Sequence, residues 1–177
     1  MFRLIFIMSG FDSTYKLKES NIFIKKHYKE SIDIDFIDSH KMDNSIEEYK
    51  ICREKIEKSD MVFISMHGGV THFKSLEKIM NEFEGKKKFF IYSGVEDENI
   101  VLLKKSGILP RQYEEILSYY STGGNENLQN MILYLASNFG SKKFSYDSPK
   151  IVKWEGIYYP NKIIEDYTAY IKDIKKV

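Results

Sequence analysis

The sequence has a single cysteine, three prolines and one tryptophan among its 177 residues, and it has no long hydrophobic run. One cysteine cannot form an intramolecular disulfide, so we expect a reducing, cytoplasmic location. No apolar run approaches the roughly 20 residues that a membrane-spanning helix requires. The hydrophobic segment Met1–Met8 lacks the basic stretch and cleavage site of a signal peptide. We therefore expect no membrane partner.

An excess of charge of either sign is also lacking. The 27 basic and 26 acidic residues leave a net charge of +1, which gives no general attraction to nucleic acid or to an anionic membrane. Short lysine clusters such as Lys86–Lys88 are typical of a solvated surface. The composition predicts a soluble globular protein with no nucleic-acid partner, long enough for a hydrophobic core.

Short apolar runs alternate with helical patterns over the first hundred residues. Four runs are apolar on both faces, as in a parallel sheet covered by helices: Arg3–Met8, Ile32–Ile37, Met61–Met66 and Phe89–Tyr92. Helical patterns between them cover Asp12–Glu30, Ile46–Lys58 and Phe73–Phe83. The predicted fold is therefore α/β: a flavodoxin-like, doubly wound, mainly parallel four-stranded sheet in the order 2-1-3-4, with helices on both faces.

The pattern after Gly94 is helical. We predict helices at Ile100–Lys105, Tyr113–Tyr120 and Glu126–Phe139, an irregular stretch at Ser141–Pro160 and a final helix at Ile163–Lys175. The third of these has Asn125 as its expected N-cap and Gly140 as its end. The predicted organisation is an α/β core at 1–98, a helical segment at 99–140 that packs on it, and a linker with a C-terminal helix at 141–177.

Small residues follow three of the four predicted strands. Ligands of open parallel sheets bind beyond the carboxyl ends of the strands, and serine is followed there by glycine within four residues. The candidates at this edge are Ser9, Gly10, His67, Gly68, Gly69, Ser93 and Glu96. Serine and glycine are also ordinary turn residues, and acidic residues such as Glu96 are favoured at helix N-termini, so structural roles stay open for each.

The His67-Gly68-Gly69 segment is the sharpest local candidate. Free backbone N–H groups before a helix could hold a phosphate or carboxylate, and His67 could donate to it, ligate a metal or act as an acid or base. The segment is neither a Walker A loop nor Gly-x-Gly-x-x-Gly. A metal site with His72 would need a third ligand that the spacing does not supply, and a hydrogen-bonded loop histidine is the alternative.

A second glycine pair stands in Gly123-Gly124-Asn125-Glu126-Asn127. Glycine pairs are needed where the backbone turns tightly or lets a ligand approach closely. Gly123, Gly124, Glu126 and Asn127 are therefore candidates for anion binding or, more plainly, for a turn and cap that orient a buried helix.

Taken in order, several motifs resemble a known family. His67-Gly68-Gly69, then Gly123-Gly124-x-Glu126-Asn127-x-x-Asn130, then Gly156-Ile157-Tyr158-Tyr159-Pro160 are similar to the amino-terminal region of the large subunits of cobaltochelatase (CobN) and magnesium chelatase (the H subunit). The two later motifs are the most specific.

The resemblance implies a protein that binds a tetrapyrrole, a corrin or porphyrin, and takes part in inserting divalent cobalt or magnesium. ATP with Mg²⁺ would be hydrolysed by AAA+ partner subunits, no cofactor would be bound by this chain alone, and no catalytic residue can be carried over. The family's subunits are much longer, so we expect part of a longer subunit. Trp154 would be the best aromatic face for the ring.

Two other functions remain open at the level of sequence. One is a stand-alone flavodoxin-like module that binds a nucleotide, flavin or small anion at the strand ends. The other is a scaffold domain whose glycine pairs only close turns.

Overall fold

The computed structural model describes the backbone of residues 1–9, 11–150, 157–159 and 162–164, and the side chains of residues 1–9 and 15–150. The central sheet has four strands: β1 (Phe2–Met8), β2 (Ile32–Asp38), β3 (Met61–Ser65) and β4 (Lys88–Tyr92). All three pairings are parallel, and the order is β2-β1-β3-β4. The predicted sheet, including its strand order, is confirmed.

Seven helices accompany the sheet in the described residues: α1 (Phe11–Tyr28), α2 (Ser39–Asn44), α3 (Ile46–Lys58), α4 (Leu76–Phe83), α5 (Glu96–Ser106), α6 (Pro110–Thr122) and α7 (Asn125–Phe139). A one-turn 3₁₀ helix, Val70–His72, precedes α4. Only α2 was not expected, since six residues are too few for a helical period to be recognised. The Asp38 carboxylate begins it by accepting hydrogen bonds from the His40 and Lys41 amides.

The helices cover both faces of the sheet because alternate strand residues point to opposite sides. On one face, strand residues such as Phe6 and Phe63 pack with α1, α6 and α7. On the other, Ile7 and Ile64 pack with α3 and α4. Helices α6 and α7 thus share the core of the sheet, and the expected boundary after residue 98 falls inside α5.

Aromatic rings run across all four strands on the first of these faces. Phe36, Phe6, Phe63 and Phe90 lie in register on neighbouring strands, with consecutive ring centroids 5.3, 5.0 and 4.6 Å apart. Tyr113 of α6 continues the row 4.8 Å beyond Phe90. Offset or tilted rings at this spacing add to the hydrophobic gain of burial. This row fixes α6 over the sheet.

The segment after α7 differs from the prediction in two places. Strands β5 (Ile157–Tyr159) and β6 (Lys162–Ile164) form an antiparallel hairpin, where an irregular stretch and then the start of a helix at Ile163 were expected. These two expectations are wrong at the hairpin, because paired β-branched and aromatic residues such as Tyr158 and Ile163 favour strands. The remainder of the predicted helix lies outside the described residues. No helix in the described part of the chain is long and apolar enough to cross a membrane.

The single thiol, Cys52, lies in the core as expected, with 1% of its surface exposed. Burial raises the pKa of this thiol to about 12. Because the thiolate is the nucleophile, we expect Cys52 to react with a thiol reagent at pH 8 more than tenfold more slowly in the folded chain than in denaturant. The measurement is a labelling time course, and equal rates in both states would contradict the buried position.

The same shift predicts a loss of stability in alkali. The unfolded thiol ionises near its ordinary pKa of about 8.5, whereas the folded thiol keeps its proton up to about pH 12. Stabilisation is therefore complete below the unfolded pKa and falls as the pH rises through this window. Urea midpoints at pH 7 and pH 10.5 should differ less in Cys52→Ala than in the parent chain.

Candidate functional site

The loops that follow β1, β3 and β4 lie side by side at the carboxyl edge of the sheet. The sheet ladder continues one residue beyond the strands, since the Ser9 amide donates to the Ser65 carbonyl at 3.0 Å and the Met66 amide donates to the Tyr92 carbonyl at 2.8 Å. The three loops predicted to converge therefore begin at neighbouring positions. Gly10, the next residue of the first loop, lies outside the described residues.

Ser9 connects the first loop to the second. Its side chain is buried, with 5% exposure, and its Oγ accepts a hydrogen bond of 2.9 Å from the His67 amide. The His67 side chain is itself exposed. The His67 backbone is therefore fixed by a hydrogen bond to a buried side chain, while the His67 imidazole faces solvent at the carboxyl edge of the sheet.

Two successive amides of the second loop, those of Gly69 and Val70, are engaged by the protein itself. The Gly69 amide donates to the Ser93 carbonyl at 3.0 Å, and the Val70 amide donates to Glu98 Oε2 at 3.0 Å. Gly69 has φ 94° and ψ 176°, a conformation open almost only to glycine. A Cβ there would stand 3.0 Å from Glu98 Oε1. An internal carboxylate thus sits where an anionic ligand was expected.

Glu98 is a residue that the sequence reasoning did not single out. The sequence prediction names Glu96, the first of three consecutive acidic residues, Glu96, Asp97 and Glu98, in the first turn of α5. In the structure Glu96 is exposed in the first turn of α5, and Glu98 is half-buried against Gly69. Only the helical phase of α5, which places Glu98 towards the neighbouring loop, distinguishes the two.

The two histidines of the second loop, His67 and His72, do not belong to a group of metal ligands among the described residues. The His72 ring packs over Gly68, where an added Cβ would be 2.9 Å from its Nε2 atom. Both His67 and His72 are exposed. In the described part of the chain, no three histidine, cysteine, aspartate or glutamate side chains are grouped so that they could hold a metal ion.

Ser93 is fully buried and fixes the third loop. Its amide donates to Asn99 Oδ1 at 2.8 Å, and its Oγ accepts from the Val95 amide at 3.1 Å. Ser93 therefore already has hydrogen-bond partners, and these partners lie at the start of α5. Gly94 follows with φ 77°, close to the Met66 carbonyl, so the second and third loops touch through backbone.

The second glycine pair reaches the same edge through α6. The Tyr120 hydroxyl donates to Ser65 Oγ at 2.8 Å, and this places the end of α6 over the end of β3. Gly123 then has φ 67° and ψ −160°, and Gly124 has φ 81° and ψ 150°. Both conformations are available almost only to glycine. Gly124, rather than the predicted Asn125, is the N-cap of α7, because Asn125 already has helical backbone.

The asparagines of the second motif hold the chain that follows α7. Asn127 Nδ2 donates to the Gly123 and Lys150 carbonyls, both at 3.0 Å, and its Oδ1 accepts from the Lys150 amide at 2.9 Å. One turn later, Asn130 Oδ1 accepts from the Asp147 amide at 3.0 Å. Both asparagine side chains are buried.

Further hydrogen bonds hold the following chain against α6 and α7. Ser137 Oγ accepts from the Phe144 amide at 2.7 Å, and the Tyr119 hydroxyl donates to the Asp147 carbonyl at 2.6 Å. Residues 144–150 therefore run antiparallel to α7 and return the chain to the carboxyl edge. We call residues 144–150 the return segment.

Glu126 lies in the first turn of α7 and forms an ion pair with Lys150 on the surface. Its carboxylate thus contacts the end of the return segment. Such exposed pairs contribute little to stability, because solvent screens them. Trp154, the predicted stacking residue, lies outside the described residues.

Comparisons with known proteins give one sequence relative and one structural neighbour of note. No protein-family model matches the sequence. An uncharacterized protein of Methanocaldococcus jannaschii is 26% identical over 182 residues, which cover 97% of this chain and 14% of that protein. The catalytic subunit of cobaltochelatase from Mycobacterium tuberculosis superposes with a TM-score of 0.64 and 14% identity, over 89% of this chain and 12% of that chain.

The structural neighbour supports the expected resemblance at the level of the fold. At 14% identity the similarity concerns the arrangement of strands and helices, and it assigns no residue. The chain spans 14% of the sequence relative and 12% of the structural neighbour. The fold described here is therefore also found as a small part of a cobaltochelatase subunit.

Proposed function

We propose that this chain serves as a domain of the large subunit of an ATP-dependent metal chelatase, which inserts cobalt or magnesium into a tetrapyrrole. The domain contributes to tetrapyrrole binding or to docking of the other subunits. ATP hydrolysis belongs to AAA+ partner subunits. The observation that carries the proposal is the structural similarity to the catalytic subunit of cobaltochelatase over 89% of the chain, together with the ordered motifs.

The chemistry of the carboxyl edge supports this role. A tetrapyrrole is a flat apolar ring with carboxylate or amide groups at its periphery, and aromatic side chains stack on such rings. At the edge, the half-buried Tyr92 and Tyr120 meet edge to face, with ring centroids 5.9 Å apart. Polar groups of Ser9, His67 and the Gly123-Gly124 turn surround the same end of the sheet.

The metal ion in this proposal is a substrate of the whole subunit. We assign no residue of this chain to metal insertion, and the residues for that step belong to the longer subunit. The contribution of this domain is to present an apolar and hydrogen-bonding edge to the macrocycle or to a partner. Cobalt and magnesium are not distinguished by these residues.

A spectral titration of the purified chain tests the proposal. We expect a porphyrin or a corrin to quench the fluorescence of the single tryptophan, Trp154, saturably, while FMN leaves it unchanged. In Trp154→Phe the change in porphyrin absorbance should remain, which separates binding from the reporter. Linear, non-saturating quenching with every tetrapyrrole would reject a tetrapyrrole-binding role.

The stand-alone flavodoxin-like module is the less favoured alternative. It would place an anion on the amides near Gly69, but the Gly69 and Val70 amides already donate to Ser93 and to the Glu98 carboxylate. An incoming anion would have to displace a carboxylate. A saturable flavin response without any tetrapyrrole response would nevertheless establish this module instead.

A further inference from the structure

A cleft of about 540 Å³ opens beside the loops already described. It lies between α1, the end of β2, α2 and α3, and its lining includes neither glycine pair. This volume is within the usual range of small-molecule sites, about 300–1,000 Å³. The cleft begins at the carboxyl ends of β1 and β2, where Met8 and Asp38 line it.

The floor and one wall of the cleft are apolar. Met8 and Cys52 are buried at its base, and Phe36 is half-buried beside them. Two larger side chains stay open at the rim: Ile51 is 42% exposed and Tyr15 is 59% exposed. Apolar and aromatic groups left in contact with water around one concavity can bury a ring.

Lysines face the cleft from two different helices. Lys18 of α1 and Lys41 of α2 both line it, and in the part of the chain that the structure describes neither ammonium has an ion-pair partner. A third lysine, Lys55, is paired with Asp35 at 3.3 Å. The two unpaired ammonium groups are therefore the cations available to a ligand.

Two carboxylates, those of Asp38 and Glu48, also line the cleft. Asp38 Oδ1 accepts from the His40 amide at 2.9 Å and from the Lys41 amide at 3.4 Å, which offsets part of its charge. Glu48 stands in the first turn of α3, where a negative charge is stabilised by the helix N-terminus. Neither carboxylate forms an ion pair with Lys18 or Lys41 in the described residues.

We propose that this cleft binds an organic anion that carries an apolar ring and acidic groups, with the ring against Phe36, Ile51 and Tyr15 and the acidic groups on Lys18 and Lys41. The proposal does not rest on the chelatase role. A carboxylated tetrapyrrole edge and a flavin phosphate share this chemistry, and the experiment separates them.

The test measures dissociation constants of the full chain for uroporphyrin, which carries several carboxylates, and for FMN, with inorganic phosphate as a competitor. The double variant Lys18→Gln/Lys41→Gln should weaken binding of the ring-bearing anion by about tenfold, since it removes two ammonium–anion contacts that are each weak at an exposed site. The matched control, Lys25→Gln/Lys104→Gln, removes the same charge from exposed positions outside the cleft and should change binding less than twofold.

The outcomes separate the two proposals. A tenfold loss for FMN alone keeps the cleft and rejects its use for tetrapyrroles. Porphyrin binding that is equal in the double variant and in the control overturns the cleft while the chelatase role stands. Failure of both ring probes to bind, or displacement by inorganic phosphate as effective as by the ring compounds, also overturns the cleft. Far-UV circular dichroism confirms that each variant is folded.

Discussion

Replacement of Gly124 by asparagine is expected to lower the free energy of unfolding by about 3 kcal/mol, although an added Cβ would meet no atom within 4 Å. The cause lies in the backbone. Gly124 has φ 81° and ψ 150°, a conformation that costs residues with a side chain about 1–3 kcal/mol. The variant must either pay this strain or shift the start of α7, and a shift would also disturb the hydrogen bonds of Asn127.

Gly107→Asn is the matched control for this prediction. Gly107 ends α5 in the left-handed helical conformation, with φ 70° and ψ 12°, which asparagine tolerates better than most residues. We expect that variant to lose no more than about 1 kcal/mol. Urea denaturation followed by circular dichroism measures both. Equal losses at the two positions would show that the turn before α7 does not need glycine.

Asn127→Ala is expected to cost about 3 kcal/mol of unfolding free energy and to release the return segment from α7. The side chain makes three hydrogen bonds to backbone groups of Gly123 and Lys150 and is 4% exposed. Each net hydrogen bond contributes about 1 kcal/mol, and buried groups left without partners add to the loss. Trypsin should then cleave after Lys143 faster than in the parent chain, at equal fractions of folded protein.

Asn125→Ala provides the control for that experiment. Asn125 is on the same helix two residues earlier and is exposed. Among the residues whose side chains are described, its side chain has one hydrogen bond, a 3.3 Å contact to Glu19. We expect it to change stability by less than about 0.5 kcal/mol and to leave the cleavage rate unaltered. If Asn127→Ala changed stability as little as Asn125→Ala, the hydrogen bonds of Asn127 to the return segment would not stabilise the protein.

The central sheet could be predicted from the sequence because local patterns of apolar residues indicate its strands and helices. Strands β1, β3 and β4 are largely apolar on both faces, whereas the edge strand β2 alternates apolar residues with aspartate. The helices between the strands carry apolar residues at helical spacing, as α3 does behind its Ser45 N-cap. Elements too short to show a period of their own were not predicted. Helix α2 owes its start to Asp38, and the hairpin at 157–164 competes with a helical spacing that begins at Ile163.

The candidate site was predicted in part. The strand-end loops do meet at one edge, since parallel strands in register end together. The engagement of the Val70 amide by Glu98 was not predictable, because it requires the relative position of α5 and the 3₁₀ helix. The role of Asn127 and Asn130 was missed for the same reason: their partners are backbone groups of the return segment, which has no pattern of its own.

The second glycine motif therefore has a structural role. Gly123 and Gly124 permit the sharp turn between α6 and α7, and the asparagines that follow bind the return segment. The motif directs the chain back to the carboxyl edge after α7. It therefore shapes the proposed ligand edge without the need for direct contact with a ligand.

The most direct test of this account is a two-dimensional NMR titration of the ¹⁵N-labelled chain with uroporphyrin. We predict that amide signals of the carboxyl edge, such as Ser9, Gly68 and Gly124, shift saturably, while those at the opposite end, such as Ser31, Asp60 and Gly107, stay in place. Shifts confined to the opposite end, or no shifts at saturating porphyrin, would contradict the proposal that this edge of the domain binds a tetrapyrrole.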